Sequence, residues 1–241
     1  MTVPVPAVLG VLGLACLLAG ALLLRRLPGY RIARLLRAAP EVSVAEAVAA
    51  AAEGEPRYLR IRGRITSDEE FPDEHDRPLV YRRRRLEVAR LRGRWASVDD
   101  GREAVPFAVE ERSAFIAVDA EALGEGLVVL PRIASGTAAE VMDRLPAEVD
   151  PESEVRFRVD QISAVEVATV AGVPRREGSR VVIGSGLGRP LILTTLEVPA
   201  AMRVLGGGRS VPLVAAAGLI AAGGLFITLG ALSAIFGVAI G

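Results

Sequence analysis

The chain of 241 residues contains no lysine, one cysteine and one histidine. Cys16 has no partner within the chain, so an intramolecular disulfide is excluded. One Cys and one His build neither a cysteine-rich zinc site nor a histidine cluster. His75 is the sole imidazole, and nothing marks Ser135 or Ser185 as a nucleophile paired with it. No Glu/Asp pair can be singled out for hydrolysis either, and no cofactor is implied. Every cation is arginine, as a GC-rich coding sequence would give, which leaves no lysine for modification. The 29 basic and 29 acidic residues cancel, so bulk charge gives no argument for nucleic acid. Aromatic residues make up 4% of the chain, too few for the stacking platforms of a single-strand binder.

Charge is also missing locally. Residues 3–24 and 211–241 carry no Asp, Glu, Lys or Arg. At about 1.5 Å per residue the first run spans the roughly 30 Å of a hydrocarbon core. A cleaved signal peptide would put positive charge before the apolar stretch, whereas here Arg25 and Arg26 follow it. The run is therefore expected to be an uncleaved anchor. The second span, 211–239, reads as one tilted helix, with a break at Gly223-Gly224 as the alternative. Arg25, Arg26, Arg31, Arg34 and Arg37 follow the first span, and Arg203 and Arg209 precede the second. The positive-inside rule then places the middle of the chain in the cytoplasm and both termini outside a cell membrane crossed twice.

Small residues recur every seven positions within the spans: Gly13 and Gly20 in the first, Ala216, Gly223, Gly230 and Gly237 in the second. Such stripes let helix backbones approach closely. They fit packing of one span on the other, or a homo-oligomer, and composition alone would also produce them.

Between the spans, residues 25–54 form a basic segment and a short helix. Arg31, Arg34 and Arg37 share a face that could lie on anionic headgroups. Ser43 and Glu46 have capping-box spacing, and Gly54 supplies a stop, which predicts a helix over 43–53. From Tyr58 the pattern changes to period two and predicts a strand to Ile65, then a long one over 79–91. Further strands are expected at 94–98, 105–110, 114–119, 127–131, 155–161, 164–171, 180–184 and 190–195, with short helices at 137–145 and 198–205. The expected fold of residues 55–205 is mainly β (α+β), an antiparallel sandwich or small barrel.

Three segments offer chemistry. The acidic stretch from Asp68 to Asp76 has the oxygen density of a calcium site without EF-hand spacing, and reads better as a solvated hairpin loop. Arg82 to Arg85 lie within one strand, so alternation sends Arg82 and Arg84 to one face and Arg83 and Arg85 to the other. One pair could meet headgroups or an acidic partner; an ion-paired sheet face is the plainer reading. Gly184 to Gly188 is followed by Arg189-Pro190 and then a strand, so it reads as a turn and not as a dinucleotide loop.

Several short motifs together resemble a known family. They are Arg62-Gly63-Arg64-Ile65, Pro78-Leu79-Val80-Tyr81-Arg82-Arg83, Trp95, Pro106-Phe107-Ala108-Val109-Glu110-Glu111 and Ala117-Val118-Asp119. With a span on either side, residues 55–200 resemble the GIDE family, the beside-a-membrane domain of mitochondrial E3 ubiquitin ligases. The resemblance implies Phe107 and Phe115 as core anchors. It makes Tyr81 and Trp95, beside Arg82 and Arg84, candidates for partner binding. It would also attach a ubiquitin-transferase label. That activity resides in a RING, which needs about eight Cys or His ligands, and this sequence has one of each. The expected role is a non-enzymatic membrane-anchored module that binds or scaffolds a membrane-associated protein. A transferase-type or paired-acid enzyme and a sensor of anionic lipid or a small ligand are the alternatives.

Overall fold

The computed structural model describes residues 5–26, 28–90, 94–124, 126–207 and 210–239. The chain divides into two compact units, one of residues 1–35 with 205–241, the other of residues 36–204.

The first unit is built on α1 (Val5–Arg26) and α5 (Ser210–Ala239). Both are long and apolar enough to cross a membrane, and little of either is buried. They pack antiparallel through the small residues. A Cβ on Gly13 would meet Gly223 and Ile227; one on Gly20 would meet Ala216 and Ile220; one on Gly230 would meet Pro6 and Leu9. The absence of side chains lets the two backbones touch. α5 runs unbroken through Gly223-Gly224. The stripes thus serve contact within one chain, which occupies the surface that a homo-oligomer through Gly13, Gly20, Gly223 and Gly230 would need. Gly237 lies outside the residues whose surroundings are described.

The second unit begins at Leu36, within α2 (Pro28–Ala38), and its first complete helix is α3 (Val44–Glu53). The capping box forms: the Glu46 N–H donates to Ser43 Oγ at 3.2 Å, and the Ser43 N–H donates to Glu46 Oε2 at 2.7 Å. Gly54 ends the helix at φ 78°, the left-handed region that glycine adopts at least cost. Val44, Ala47 and Ala51 are its buried face.

Among the described residues twelve strands follow: β1 (Leu59–Thr66), β2 (Phe71–Pro72), β3 (Pro78–Arg90), β4 (Arg94–Ala104), β5 (Ala108–Glu111), β6 (Ala114–Val118), β7 (Leu127–Val128), β8 (Arg132–Thr137), β9 (Glu154–Ser163), β10 (Val167–Glu177), β11 (Arg180–Gly184) and β12 (Ile192–Thr194). α4 (Val198–Gly207) comes next. The strands form two sheets. One has the order β1-β5-β6-β11-β10-β12-β7, with β1 pairing β10 as well. It is part-curled and not a closed barrel, because β6 meets β11 over only two register pairs and β12 and β7 continue beyond β10. The links β6–β11 and β7–β12 are parallel, so the expectation of a purely antiparallel fold holds for most pairings and fails at these two. Close approach of β1 to β5 needs Gly63: a Cβ there would collide with the Glu110 carbonyl.

The second sheet has the order β2-β3-β9-β8, with β4 also on β3. β4 runs to Ala104, well past the predicted end at 98, because it pairs with β3 along its whole length. The expected helix over 137–145 is a 3₁₀ segment, Ala138–Arg144.

The main core lies against the curled sheet: Ile61 and Ile65 of β1, Val109, Ile116, Val170 and Ile183 are fully buried among others. Phe107 belongs to it. Phe115 does not, being 67% exposed on the short β5–β6 hairpin, whose other strand face is covered. A smaller core of Leu86, Val88, Ala138, Val149 and Val155 forms where the 3₁₀ segment covers half of one face of the second sheet. The other half of that face stays open.

Candidate functional site

β3 is the central strand of the second sheet, and its four consecutive arginines separate by parity as alternation requires. Arg82 and Arg84 stand on the open face, beside Gln161 and Val159 of β9. With Arg132, Ile133 and Ala134 of β8, Phe157, and Asp73 and Glu74 of the acidic loop, they line a groove of about 240 Å³.

The groove's cations are not equivalent. Arg82 is committed: its guanidinium donates to Glu103 Oε2 at 2.5 Å and lies over the Phe71 ring at 5.2 Å. Arg132 stands 3.6 Å from Asp73, a loose pair beyond hydrogen-bond distance. Arg84 is exposed, and its guanidinium has no hydrogen bond or ion pair among the described residues. Asp73 does not offset it, because that carboxylate is occupied. It accepts from the His75 N–H at 2.7 Å, the Arg77 N–H at 3.0 Å, and Arg77 Nε and Nη2 at 2.8 and 2.6 Å. Burial works to raise its pKa, but the Arg77 backbone and side-chain bonds, the His75 bond and the Arg77 charge outweigh burial. They hold Asp73 well below the ordinary carboxylate range. That is the opposite direction from a general acid.

The same bonds explain the acidic stretch. It folds as a tight loop around Asp73, with Asp76 at φ 56°. Among the described residues no group of three or more His, Cys, Asp or Glu could hold a metal ion.

The opposite face carries an ionic ladder. Arg83 donates twice to Asp100, at 2.8 and 2.6 Å. These bonds, and the nearby arginine charges, lower the Asp100 pKa. Asp160 accepts from Arg85 at 2.5 Å and Arg158 at 3.1 Å. Glu87 accepts from Arg156 Nε. Asp160 and Glu87 are buried beneath these side chains. Trp95 is on this face, with the Arg156 guanidinium 4.2 Å over its ring.

The residues expected at one partner site are therefore divided. Arg82 and Arg84 line the groove, and Trp95 lies behind it. Tyr81 is not at the surface: at 1% exposure it belongs to the main core, its hydroxyl donating to the Leu123 carbonyl at 3.4 Å, and burial raises its pKa. Its ring is drawn inward because β3 passes from the second sheet into the main core at Val80 and Tyr81. Arg31, Arg34 and Arg37 are exposed on α2, whereas Ile32 and Leu36 are buried. The side chains of Arg25 and Arg26 lie outside the described residues. Gly184 to Gly188 forms a tight turn, with Gly186 and Arg189 exchanging N–H···O bonds of 3.1 and 2.9 Å.

Arg132, Phe157 and the whole of β8 were not singled out from sequence. Arg132-Ile133-Ala134-Ser135-Gly136-Thr137 has small residues where a period would show. Only Pro131 before it and the predicted strand over 155–161 hinted at a partner strand.

Comparison with protein-family models, curated proteins and solved structures finds no match to this chain.

Proposed function

We propose that the protein is a membrane-anchored binding module, in which α1 and α5 form a helical hairpin in the bilayer and the β-rich unit presents its arginine-lined groove to an acidic protein partner. The observation that carries this reading is the outward apolar surface of the two helices. Their glycines are spent on each other, and Val11, Leu14, Leu18, Leu22, Leu225 and Ile235 are left exposed. Exposed apolar area of this extent is not tolerated in water. Lipid covers it at no cost in hydrogen bonding, since both segments are helical.

In this reading the arginines after α1 and before α5 keep the folded unit on the cytoplasmic side. Tethering at both ends confines the unit to the bilayer surface and raises the effective concentration of membrane-bound partners. Arg84 supplies an uncommitted charge and Phe157 and Val159 an apolar floor, the mixture that a protein ligand needs. The resemblance of residues 55–200 to the beside-a-membrane domain points the same way, toward a domain that works against a bilayer.

Carbonate extraction and reporter fusions test the anchor. The protein is expected to stay in the membrane pellet, and a fluorescent reporter fused after residue 241 is expected to be dark. Release by carbonate sinks the reading. Crosslinking in native membranes tests the groove. Arg84→Glu with Arg132→Glu is expected to lose the adducts that the wild type gives, and retention of all of them counts against an acidic partner there.

A second reading is favoured by α2, whose exposed Arg31, Arg34 and Arg37 are backed by buried Ile32 and Leu36. Such a helix can rest on anionic headgroups. Binding to phosphatidylserine vesicles is expected to fall when all three are reversed to Glu, and unchanged binding removes the idea.

A further inference from the structure

The second sheet has two outer edges, and the chain treats them differently. β4 pairs only with β3 among the described residues, which leaves its far side unpaired there. It carries Asp99, Asp100, Arg102 and Glu103, and its register is broken by a bulge opposite Leu86/Glu87. Charge and bulges are how sheet edges are protected from unwanted pairing. β8 closes the sheet on the other side and, among the described residues, pairs only with β9. It has neither device: six residues, one charge, no proline and a continuous register.

The backbone groups that β8 leaves open can be identified. Bonded and non-bonded residue pairs alternate along an antiparallel ladder. The Ala138 N–H donates to the Ser153 carbonyl at 2.8 Å, one step beyond the Thr137–Glu154 pair. Even-numbered positions of β8 are therefore the bonded ones. Ile133 and Ser135 turn their N–H and C=O away from β9. The Thr137 N–H, of the same parity, is taken up by Glu140 Oε1 at 3.4 Å. Ile133 and Ser135 have no such substitute among the described residues.

The surroundings of this edge select its occupant. Leu130 and Ile133 are 67% and 53% exposed beside it. On the face shared by Arg132 and Ala134 lies the groove with Arg84. A second hollow of about 180 Å³, with Ala134, Ser135, Gly136 and Phe157 in its lining together with Arg144 and Glu140, continues along the same strand. Arg84, Val159 and Arg132 stand in one row across β3, β9 and β8; with strands stacked about 4.8 Å apart, a side chain from a strand added to β8 is next to Arg132, and Arg84 lies farther along the same row.

We propose that β8 receives an extended acidic segment of a partner protein as an added antiparallel strand, with acidic side chains at alternate positions on the face of Arg132, one of them in the row that Arg132 shares with Arg84, and apolar ones between them toward Ile133. The main-chain bonds to Ile133 and Ser135 supply the docking, and the arginines set the charge preference. This rests on the reading of the groove as a site for an acidic partner.

The test uses the full chain in nanodiscs and a labelled peptide of alternating Glu and Val, followed by fluorescence anisotropy. The wild type is expected to bind it and to ignore the alternating Lys and Val peptide. N-methylation of the Val amides, which face β8 in this register, is expected to weaken binding about tenfold or more; N-methylation of the Glu amides is not. Ser135→Pro removes only an outward N–H, which an edge strand tolerates, and is expected to weaken binding likewise. The methylated peptides decide the matter even where that variant fails to fold. Wild-type failure to bind the Glu–Val peptide overturns the proposal. Full binding by the Val-methylated peptide, with loss in Arg84→Glu/Arg132→Glu, overturns strand addition and leaves the groove standing. Unchanged binding by the double arginine variant sinks the groove and the strand together. A dimer in sedimentation that Ser135→Pro converts to monomer assigns the edge to a second copy and also overturns the proposal.

Discussion

Asp160→Asn is expected to destabilise the β-rich unit by about 2–3 kcal/mol. The carboxylate is 5% exposed and accepts from Arg85 at 2.5 Å and Arg158 at 3.1 Å. Each charge-assisted bond is worth about 1.5–3 kcal/mol. Removing one partner of a buried pair costs about 3–5 kcal/mol because the other charge is stranded. Here the guanidiniums are 20% and 29% exposed, so water recovers part of their solvation, and the amide keeps one acceptor oxygen. Arg85 Nε is already buried without a partner, which leaves little slack in the ladder. Trp95, the sole tryptophan, sits on the same face under Arg156, so its fluorescence reports unfolding of the ladder itself. Urea titration of the full chain in micelles is expected to show a midpoint lowered by about 1 M, for a slope of about 2 kcal/mol/M. Arg85→Gln on the Asp160→Asn background should then cost much less than it does alone. A midpoint within about 0.2 M of wild type, or additive costs in that cycle, would refute the claim that the ladder holds this sheet face together.

Other outcomes follow from the same geometry. Asp73 has a folded pKa below its unfolded value of about 3.9, so its stabilisation is fully present above that value and is lost as pH falls through the lower folded one. The stability gap between wild type and Asp73→Asn is expected to be constant from neutral pH to about 5 and to shrink below about 4; a gap constant down to pH 2 contradicts the assignment. Gly13→Leu puts side-chain atoms where a Cβ alone would come within 2.6 Å of Ile227 and 2.8 Å of the Gly223 carbonyl. Pulsed EPR between labels at Cys16 and Leu225→Cys is expected to show the helices moved apart, whereas Gly10→Leu, with nothing within 4 Å, leaves them in place. Tyr81→Phe removes one long hydrogen bond and is expected to cost about 1 kcal/mol; Tyr81→Ala, which opens the main core, is expected to cost about 3–5 kcal/mol. Near-equal costs would place Tyr81 at the surface after all.

Local rules were legible wherever one residue type or period settled the matter. Ser43, Glu46 and Gly54 gave the start and stop of α3, because capping needs only neighbours. The parity of Arg82 to Arg85 gave their division between two faces, because a pleated strand leaves no choice. The glycine stripes showed that some helix would approach closely. Which helix, and in which direction, required the coordinates. Tyr81 and Phe115 exchanged expected places, since their environments depend on which sheet crosses β3 and which strand ends a hairpin.

The amino-acid sequence alone determined the partition of the chain: two uncharged runs long enough for a bilayer, with all charge in the stretch between, because hydrocarbon and water sort side chains without reference to fold. It determined the parity of the arginines for the same local reason. The tertiary structure alone decided that Arg84 stands without a hydrogen bond or ion pair among the described residues while Asp73 is consumed by Arg77. It also decided that β8 closes its sheet with an unguarded edge. Those facts depend on pairings between residues far apart in sequence, such as β8 with β9 and β3 with both β4 and β9. No local period records which strand lies next to which.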